Sequence, residues 1–477
     1  DVAVYSSGNF LIKGLSLISA PIFTRLFDPA QYGAWGFINV VVTFLTGILL
    51  LGGDNAYTRY YFQCKDEEEK RSLTTTWLAF LTAWSLIVIA VLLPFSGLLA
   101  DWILGTEGYR AAFAIGLLSS PLVMINMMLS QALRNNFQAK KFAALNFIQA
   151  LLTIGLAVIF VMLFKMGVSG ALLGAASAAL IMIPLRIWSV RKMLSRRLTP
   201  QIIGSLLRFG LPLVPMNIAF WLISNADRVM LVRLGTLADV GLYTITTSMT
   251  AVIMLLQNAV GQSWLPHGIK VYEEDQVLAV KVFQKTMIYF LAASGVVITG
   301  FVALAQEVLF ILVPPAYYGA YAAIPFLAAG FLFLTSAHVT VVAVMVKNKT
   351  SYIMYATWLV AAINIGLNSF MIPAYGLPGA GAATGISYML FAAGYAISSK
   401  LLWPVAYPLK IVSPLLLTPL LSIFTIAVIA HYGPGITGNL LLKLIVLVLC
   451  ALTIVCLVGR SEGKRLKDIT ALVKEFI

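Results

Sequence analysis

The chain of 477 residues is 60% hydrophobic and only 10% charged, and its mean hydropathy is +0.94. Soluble globular domains carry about 25% charged residues, so this composition excludes a soluble domain. The formal net charge is +14. The positions of the cations decide whether that charge indicates a nucleic-acid partner or a membrane topology.

Apolar stretches long enough to cross a bilayer, about 20 residues each, follow one another along the chain. Charged and Pro/Gly-rich breaks separate fourteen of them. Their approximate bounds are 4–26, 33–54, 74–95, 110–133, 142–164, 168–190, 206–230, 241–264, 283–305, 321–345, 352–372, 379–403, 411–431 and 438–459. We predict an all-α polytopic membrane protein with about 14 transmembrane helices.

The cations concentrate in alternate breaks between these helices. Of the 32 Lys and Arg, 25 are assigned to breaks on one side, Arg186 among them, and to a basic tail at 460–477. The positive-inside rule makes that side, and both termini, cytoplasmic. The basic charge therefore indicates topology, and no nucleic-acid partner is predicted.

The sequence also repeats itself at an offset of about 208 residues. Arg25-Leu26 returns as Arg233-Leu234, and Gly33 returns as Gly241. Each half holds six spans, so we expect two six-helix lobes related by a parallel pseudo-twofold repeat. The predicted organisation is an N-lobe (1–190), a cytoplasmic inter-lobe linker (191–205), a C-lobe (206–403), two additional C-terminal helices (404–459) and the basic cytoplasmic tail (460–477).

Two pairs of glycines predict close helix packing. Gly170 and Gly174 stand four residues apart in one span, and Gly381 and Gly385 do so in another. This spacing places both members of a pair on one helix face, where a neighbouring helix can approach closely.

No motif for catalysis is found. The sequence has no phosphate-binding Gly-rich loop with its lysine, no HExxH and no cluster of Cys and His, so no catalytic residue, metal site or cofactor is predicted. Repeated lobes in a membrane protein are typical of transporters. If this protein is one, its transport would be coupled to Na⁺, H⁺ or the membrane potential.

Charged residues inside spans are costly and mark candidate binding residues. Lys13 lies near the middle of the first span with no acid within a turn or two. It binds an anionic substrate group or pairs with an acid of another helix. Asp54 and Arg59 lie at the inner end of the second span, where they capture a headgroup or form a gate; for Arg59 the alternative is an interfacial anchor.

Two later spans carry further polar candidates. Asn225, Asp227 and Arg228 lie together in the seventh span. Asp227 is the candidate for ion coupling and Arg228 for contact with substrate, with structural pairing as the alternative for both. In the eighth span, the amides of Gln257 and Asn258 hydrogen-bond a sugar or join helices.

Arg25 and Arg233 match across the repeat at the outer ends of the first and seventh spans. Their symmetry favours a structural role over substrate binding.

Several stretches, in this order and spacing, resemble bacterial polysaccharide flippases of the Wzx type, which belong to the multidrug/oligosaccharidyl-lipid/polysaccharide exporter (MOP) superfamily. They are residues 25–33, residues 53–56 with Arg59-Tyr60, Asp227-Arg228 with residues 240–243, and residues 375–380. The resemblance covers nearly the whole chain. It implies two six-helix lobes, two additional helices and a cationic central cavity, to which we assign Lys13, Arg59 and Arg228.

The resemblance also implies a function. Such proteins flip undecaprenyl-diphosphate-linked oligosaccharide units from the cytoplasmic to the outer leaflet of the bacterial inner membrane by alternating access. The implied partners are that lipid-linked glycan, the bilayer, and a polysaccharide polymerase and chain-length regulator. The glycan is left open among O-antigen, capsule, exopolysaccharide and common antigen. The chain has one mid-span lysine in place of several arginines, which weakens its resemblance to the lipid II branch of the superfamily, whose cavities contain a group of arginines.

Two alternative functions remain open. A cation-coupled multidrug antiporter of the same superfamily requires acids in the cleft, and this chain has few. A membrane-embedded polysaccharide polymerase or ligase requires a large outer loop with catalytic side chains, and every outer break is short.

Overall fold

The computed structural model describes residues 19–347, 349, 351–432 and 436–462. Within these ranges the chain is helical with short connections and contains no strand. Lys13 and most of the first predicted span lie outside the described residues.

The chain divides into two compact units, the first ending at Thr244 and the second beginning at Ile245. The lobe and linker bounds inferred from the repeat stay a prediction. The helices of the first unit are α1 (described part 19–26), α2 (Pro29–Leu49), α3 (Gly53–Gln63), α4 (Glu67–Leu92), α5 (Ser96–Leu104), α6 (Arg110–Asn135), α7 (Ala139–Met162), α8 (Gly167–Val190), α9 (Gln201–Gly210), α10 (Val214–Leu234) and the first residues of α11 (Leu237–Glu274).

The second unit contains the rest of α11 and five further helices. They are α12 (Gln276–Leu312), α13 (Ile324–Val346), α14 (Ser351–Leu402), α15 (Leu409–Tyr432) and α16 (Ile436–Ser461).

The predicted class, an all-α polytopic membrane protein, is confirmed. In the described chain 12 helical stretches are long and apolar enough to cross a membrane. One of them, Ser351–Leu402, covers two of the predicted spans, and Gly376 interrupts it with φ 58° and ψ −131°. With the first span outside the described residues, this number agrees with the prediction of about 14.

Local sequence signals fix where the helices begin. At α2, Asp28 accepts a hydrogen bond from the backbone N–H of Gln31 at 2.9 Å, and the Gln31 side chain accepts one from the Asp28 N–H at 3.3 Å. Pro29 occupies the first helical position, where its missing N–H costs nothing. The stretch at 25–33 that carries the family resemblance is therefore also a complete helix start.

The predicted glycine packing is confirmed in both units. A Cβ on Gly174 would lie 2.3 Å from the backbone nitrogen of Ala157, because α8 touches the backbone of α7 there. In the second unit a Cβ on Gly385 would lie 2.5 Å from the carbonyl oxygen of Phe326, at the contact between α14 and α13. Only glycine permits backbones to approach this closely.

The repeat-matched glycines meet within the first unit. A Cβ on Gly33 would lie 1.8 Å from the carbonyl oxygen of Leu237, and one on Gly241 would lie 2.0 Å from that of Pro29. The start of α2 and the start of α11 therefore pack backbone to backbone, and the repeated glycine makes this contact possible from both sides.

The segment after α8 is bound along α4. The backbone N–H groups of Ser195 and Thr199 donate to the hydroxyls of Thr75 and Thr76, each at 2.9 Å. The Ser195 hydroxyl donates to Glu68 at 2.6 Å. This part of the predicted linker is held in place by side chains of one helix.

The second unit contains a buried ion pair. The Lys443 ammonium of α16, with 0% of its side chain exposed, donates to Glu307 of α12 at 2.8 Å and to Gln306 at 2.5 Å. Charges at membrane depth are tolerated when they pair in this way. The pair joins α12 to α16.

We expect Gly174→Ala to destabilise the protein because the added methyl group collides with the backbone of α7. Overpacking of this kind costs about 1–3 kcal/mol, which lowers the midpoint of thermal unfolding in detergent. Gly155→Ala is the matched control, since a Cβ on this helical glycine of α7 meets nothing within 4 Å. It should leave the midpoint unchanged or raise it. Equal midpoints for the two variants would show that the α7–α8 contact is not close-packed.

Candidate functional site

A polar cavity of about 360 Å³ opens in the first unit among α3, α6, α7 and α8. Its volume lies within the ordinary range of small-molecule sites. Its polar lining consists of Asp54, Asn126, Ser130, Gln131, Arg134, Asn146, Gln149 and Arg186, and its apolar lining of Leu50, Val123, Met127, Met128 and Phe142. We call it the Arg186 pocket.

Arg186 is the deepest charge in this pocket. It lies in the last part of α8 and is only 1% exposed. Its Nη2 donates to the side-chain oxygens of Asn146 at 2.7 Å and Gln149 at 2.6 Å, both on α7. Its Nη1 donates to the Ser130 hydroxyl and, at 3.5 Å, to the carbonyl of Asn126, both on α6. The guanidinium thus joins three helices.

All of these partners are neutral. No acidic side chain of the described residues lies within 4 Å of Arg186, and its Nε is buried without a hydrogen-bond partner. An unpaired buried cation carries a desolvation penalty of several kcal/mol, because neutral dipoles replace only part of the lost hydration. A buried cation among neutral partners is a candidate binding residue for an anionic group.

Other polar atoms of the pocket are arranged by the same helices. Asn126 donates from Nδ2 to the carbonyl of Ala179 at 2.9 Å and to that of Leu122 at 2.8 Å. These two carbonyls fix the amide orientation, so Oδ1 is the remaining acceptor, and it is buried without a partner. Gln131 donates to the Thr58 hydroxyl at 2.7 Å. The pocket therefore offers a hydrogen-bond acceptor beside its cation.

The remaining charges of the pocket lie at its edge. Asp54 is half-buried in the first turn of α3, and Arg134 is exposed in the last turn of α6. Counting the described lining, two arginines face one aspartate, which leaves a net charge of +1.

The sequence analysis placed Arg186 wrongly. It counted this residue among the cations of a cytoplasmic break, whereas α8 continues past it to Val190 and buries it. The signal was present, since position 186 falls inside the predicted span 168–190 and a charge within a span is itself a marker of function. Of the residues predicted to bind substrate, Asp54 lies in the Arg186 pocket.

The other predicted cations of the first unit make contacts of their own. The Arg59 guanidinium lies 4.5 Å from the ring centre of Phe209 on α9, a contact that favours the anchor interpretation. Arg233 stacks in the same way on Trp102 at 4.6 Å, and Arg25 donates to the carbonyl of Pro21 at 2.9 Å. The structural role of Arg25 and Arg233 stays a prediction.

The polar residues of α10 make contacts both within that helix and with α11. Asp227 is 1% exposed and accepts a hydrogen bond from the Tyr243 hydroxyl. Arg228 donates from Nη1 to Asn225 at 2.9 Å, and Asn225 donates to the carbonyl of Trp221 at 3.1 Å. Arg228 and Asn225 are thus brought together, as a shared role would require. Ion coupling through Asp227 stays a prediction.

The two amides predicted in the eighth span lie in different environments, one buried and one exposed. Gln257 is buried and donates to the carbonyl of Phe331 at 2.5 Å and to the Thr335 hydroxyl at 2.8 Å, which joins α11 to α13. It also lines an apolar cavity of about 280 Å³ together with His338. Asn258 is exposed. No group of three or more His, Cys, Asp or Glu that could bind a metal occurs in the described chain.

The sequence matches a family model over more than half of its length. The model describes polysaccharide biosynthesis proteins and matches residues 1–271. This chain belongs to that family. No curated protein matches the sequence.

Solved structures of MOP-superfamily transporters share the fold. The lipid II flippase MurJ in its inward closed conformation is similar with a TM-score of 0.76 at 14% identity, over 97% of this chain and 100% of that one. An inward-facing multidrug resistance MATE transporter gives 0.61 at 17% identity, over 87% and 99%. A transporter from Pyrococcus furiosus, described as having a binding pocket of reverse polarity, gives 0.53 at 16%, over 84% and 94%. The resemblance drawn from the sequence is confirmed at the level of family and fold.

We expect Arg186→Met to leave the thermal unfolding midpoint in detergent close to that of the wild type. The change removes the desolvation penalty of a buried charge that no acid of the described residues neutralises. This gain offsets the loss of the donor to the buried acceptors of Ser130, Asn146 and Gln149. Arg191→Met is the control, because Arg191 lies exposed against Trp188 just beyond the end of the same helix. A loss of more than about 3 kcal/mol in Arg186→Met alone would show that the guanidinium is retained for stability.

Proposed function

We propose that this protein flips undecaprenyl-diphosphate-linked oligosaccharide units from the cytoplasmic to the outer leaflet of the bacterial inner membrane, by alternating access, for assembly of a surface polysaccharide such as O-antigen. The single observation that carries the proposal is the buried Arg186, which has no acidic partner among the described residues and lines a polar pocket within a candidate membrane span. Family membership in polysaccharide biosynthesis and a fold shared with a lipid II flippase support it.

The chemistry of the pocket suits this cargo. A glycan presents many hydroxyl groups and cannot cross hydrocarbon unless protein groups replace its hydration. The amides and hydroxyl of the Arg186 pocket supply donors and acceptors of the required kind, and Arg186 supplies the charge for an anionic group. A fully apolar core would supply neither.

The position of the pocket agrees with loading from the cytoplasm. Arg134 at its edge lies in the last turn of α6, and Lys140 and Lys141 lie in the first turn of α7. The positive-inside rule assigns the connection between these cations to the cytoplasmic side, where lipid-linked glycans are made available. Entry at this end therefore corresponds to uptake from the inner leaflet.

The remaining parts of the mechanism are proposed on the sequence alone. Lys13 is the cation that we assign to substrate in the first span, and Asp227 is the residue that we assign to coupling with Na⁺ or H⁺. A polysaccharide polymerase and a chain-length regulator are the expected partners downstream.

The alternative is cation-coupled export of drugs, which the MATE-like fold also permits. Lipophilic cations require acidic side chains at the binding site. The described lining of the Arg186 pocket instead carries a net positive charge, which repels them. The flippase is therefore favoured.

The direct test is translocation in proteoliposomes. Protein-containing vesicles should expose undecaprenyl-diphosphate-linked oligosaccharides to a membrane-impermeant reagent faster than protein-free vesicles do. For the glycan that the wild type carries best, Arg186→Met should lower the rate at least about tenfold, equivalent to about 1.4 kcal/mol. Arg191→Met should match the wild type. Export of a cationic dye without translocation of any such lipid would overturn the proposal in favour of the antiporter.

A further inference from the structure

The Arg186 guanidinium has one donor left for a ligand. An arginine carries five N–H groups, two on each Nη and one on Nε. Nη1 and Nη2 each have two acceptors in the pocket, so four groups are engaged. Nε alone is buried without a partner. A ligand whose entry uncovers Nε therefore receives one hydrogen bond from Arg186 together with its charge, and not the two-pronged contact by which arginines usually bind phosphate.

An acceptor lies on the same wall as this donor. The buried Oδ1 of Asn126 has no hydrogen-bond partner, and Nη1 of Arg186 bonds to the carbonyl of that same residue. An acceptor repels the oxygens of an ionised phosphate, which have no proton to donate, and attracts a hydroxyl. The ligand best suited to the wall has an anionic oxygen and a hydroxyl a few bonds apart.

The charge of the pocket sets the charge of this ligand. Its described lining carries two arginines and one aspartate, a net +1. A monoanion neutralises that charge, whereas a diphosphate with two negative charges would leave a net −1 in a site of low dielectric constant. The half-buried Asp54 also opposes entry of a second negative charge.

We propose that the Arg186 pocket binds a carboxylate-bearing sugar residue of the glycan, of the hexuronic acid class, and not the diphosphate of the lipid. The carboxylate accepts from Nε of Arg186, and a neighbouring sugar hydroxyl donates to Oδ1 of Asn126. The cavity of about 360 Å³ has room for a saccharide residue, and the diphosphate and lipid lie outside it. The proposal rests on the proposed function and specifies which part of the cargo this pocket selects.

The test measures binding to the full chain in lipid nanodiscs. Three probes are compared: an undecaprenyl-diphosphate-linked oligosaccharide containing one hexuronic acid, the same lipid with that carboxyl reduced to an alcohol, and undecaprenyl diphosphate without a glycan. The acidic lipid should bind the wild type at least about tenfold more tightly than the reduced lipid. In Arg186→Met the ratio of these two Kd values should fall to about one, whereas Arg191→Met should keep the wild-type ratio.

A second variant tests the charge argument without touching the buried arginine. Asp54→Asn raises the described charge of the pocket to +2 and replaces a half-buried side chain with one of the same shape. It should strengthen binding of the acidic lipid severalfold, because the added positive charge attracts the carboxylate, and should leave binding of the reduced lipid and of undecaprenyl diphosphate unchanged. An equal change for all three lipids would contradict the charge argument. This readout remains available if Arg186→Met does not fold.

The outcomes separate the two proposals. Equal affinity of the wild type for the acidic and the reduced lipid would overturn the sugar assignment and leave the flippase intact. So would a loss of undecaprenyl diphosphate binding in Arg186→Met, which would assign the arginine to the diphosphate. Failure of all three lipids to bind would instead contradict the proposed function itself.

Discussion

The buried guanidinium of Arg186 is the constraint around which the pocket of the first unit is arranged. A cation this deeply buried costs several kcal/mol to desolvate, and only neutral side chains of α6 and α7 surround it among the described residues. A buried cation is an unfavourable way to join helices, because apolar side chains can join them without its desolvation penalty. We propose that it is kept for a ligand that brings a negative charge.

The surrounding fold is what makes this burial possible. Gly174 lets α8 lie directly on the backbone of α7, so that Arg186 reaches Asn146 and Gln149 on that helix. On the other side, Ser130 presents its hydroxyl from α6. Gly174 brings α7 and α8 into direct contact, whereas the polar residues nearer the end of α8 line a cavity between the helices. Packing and binding are therefore properties of the same pair of helices.

The sequence predicted the helices and their packing well, because hydropathy and glycine spacing act locally along the chain. It failed at Arg186, because a cation only four residues before the end of a span is easily grouped with the cations of the following break. It also assigned Arg59 to the cavity, which stays a prediction, and it gave no sign that the Arg59 guanidinium lies over the ring of Phe209. Both cases depend on contacts between residues that are distant in the chain. Such contacts cannot be inferred from a single sequence.

The same limit applies to the pocket as a whole. Its polar residues come from four helices, and on each helix they are few among many apolar neighbours. Only the folded arrangement brings Asn126, Asn146 and Gln149 around one charge. The family resemblance suggested a cationic site, and the structure identifies a cation that the resemblance had not included.

The most direct measurement is an experimental structure of the full protein in a nanodisc with an acidic lipid-linked oligosaccharide bound. Our account predicts a carboxylate oxygen of the glycan at hydrogen-bond distance, about 2.9 Å, from Nε of Arg186. Density for the diphosphate at that position would contradict the sugar assignment. A pocket closed by an acidic side chain of the protein itself, with the glycan elsewhere, would contradict the central claim that Arg186 is kept for a ligand.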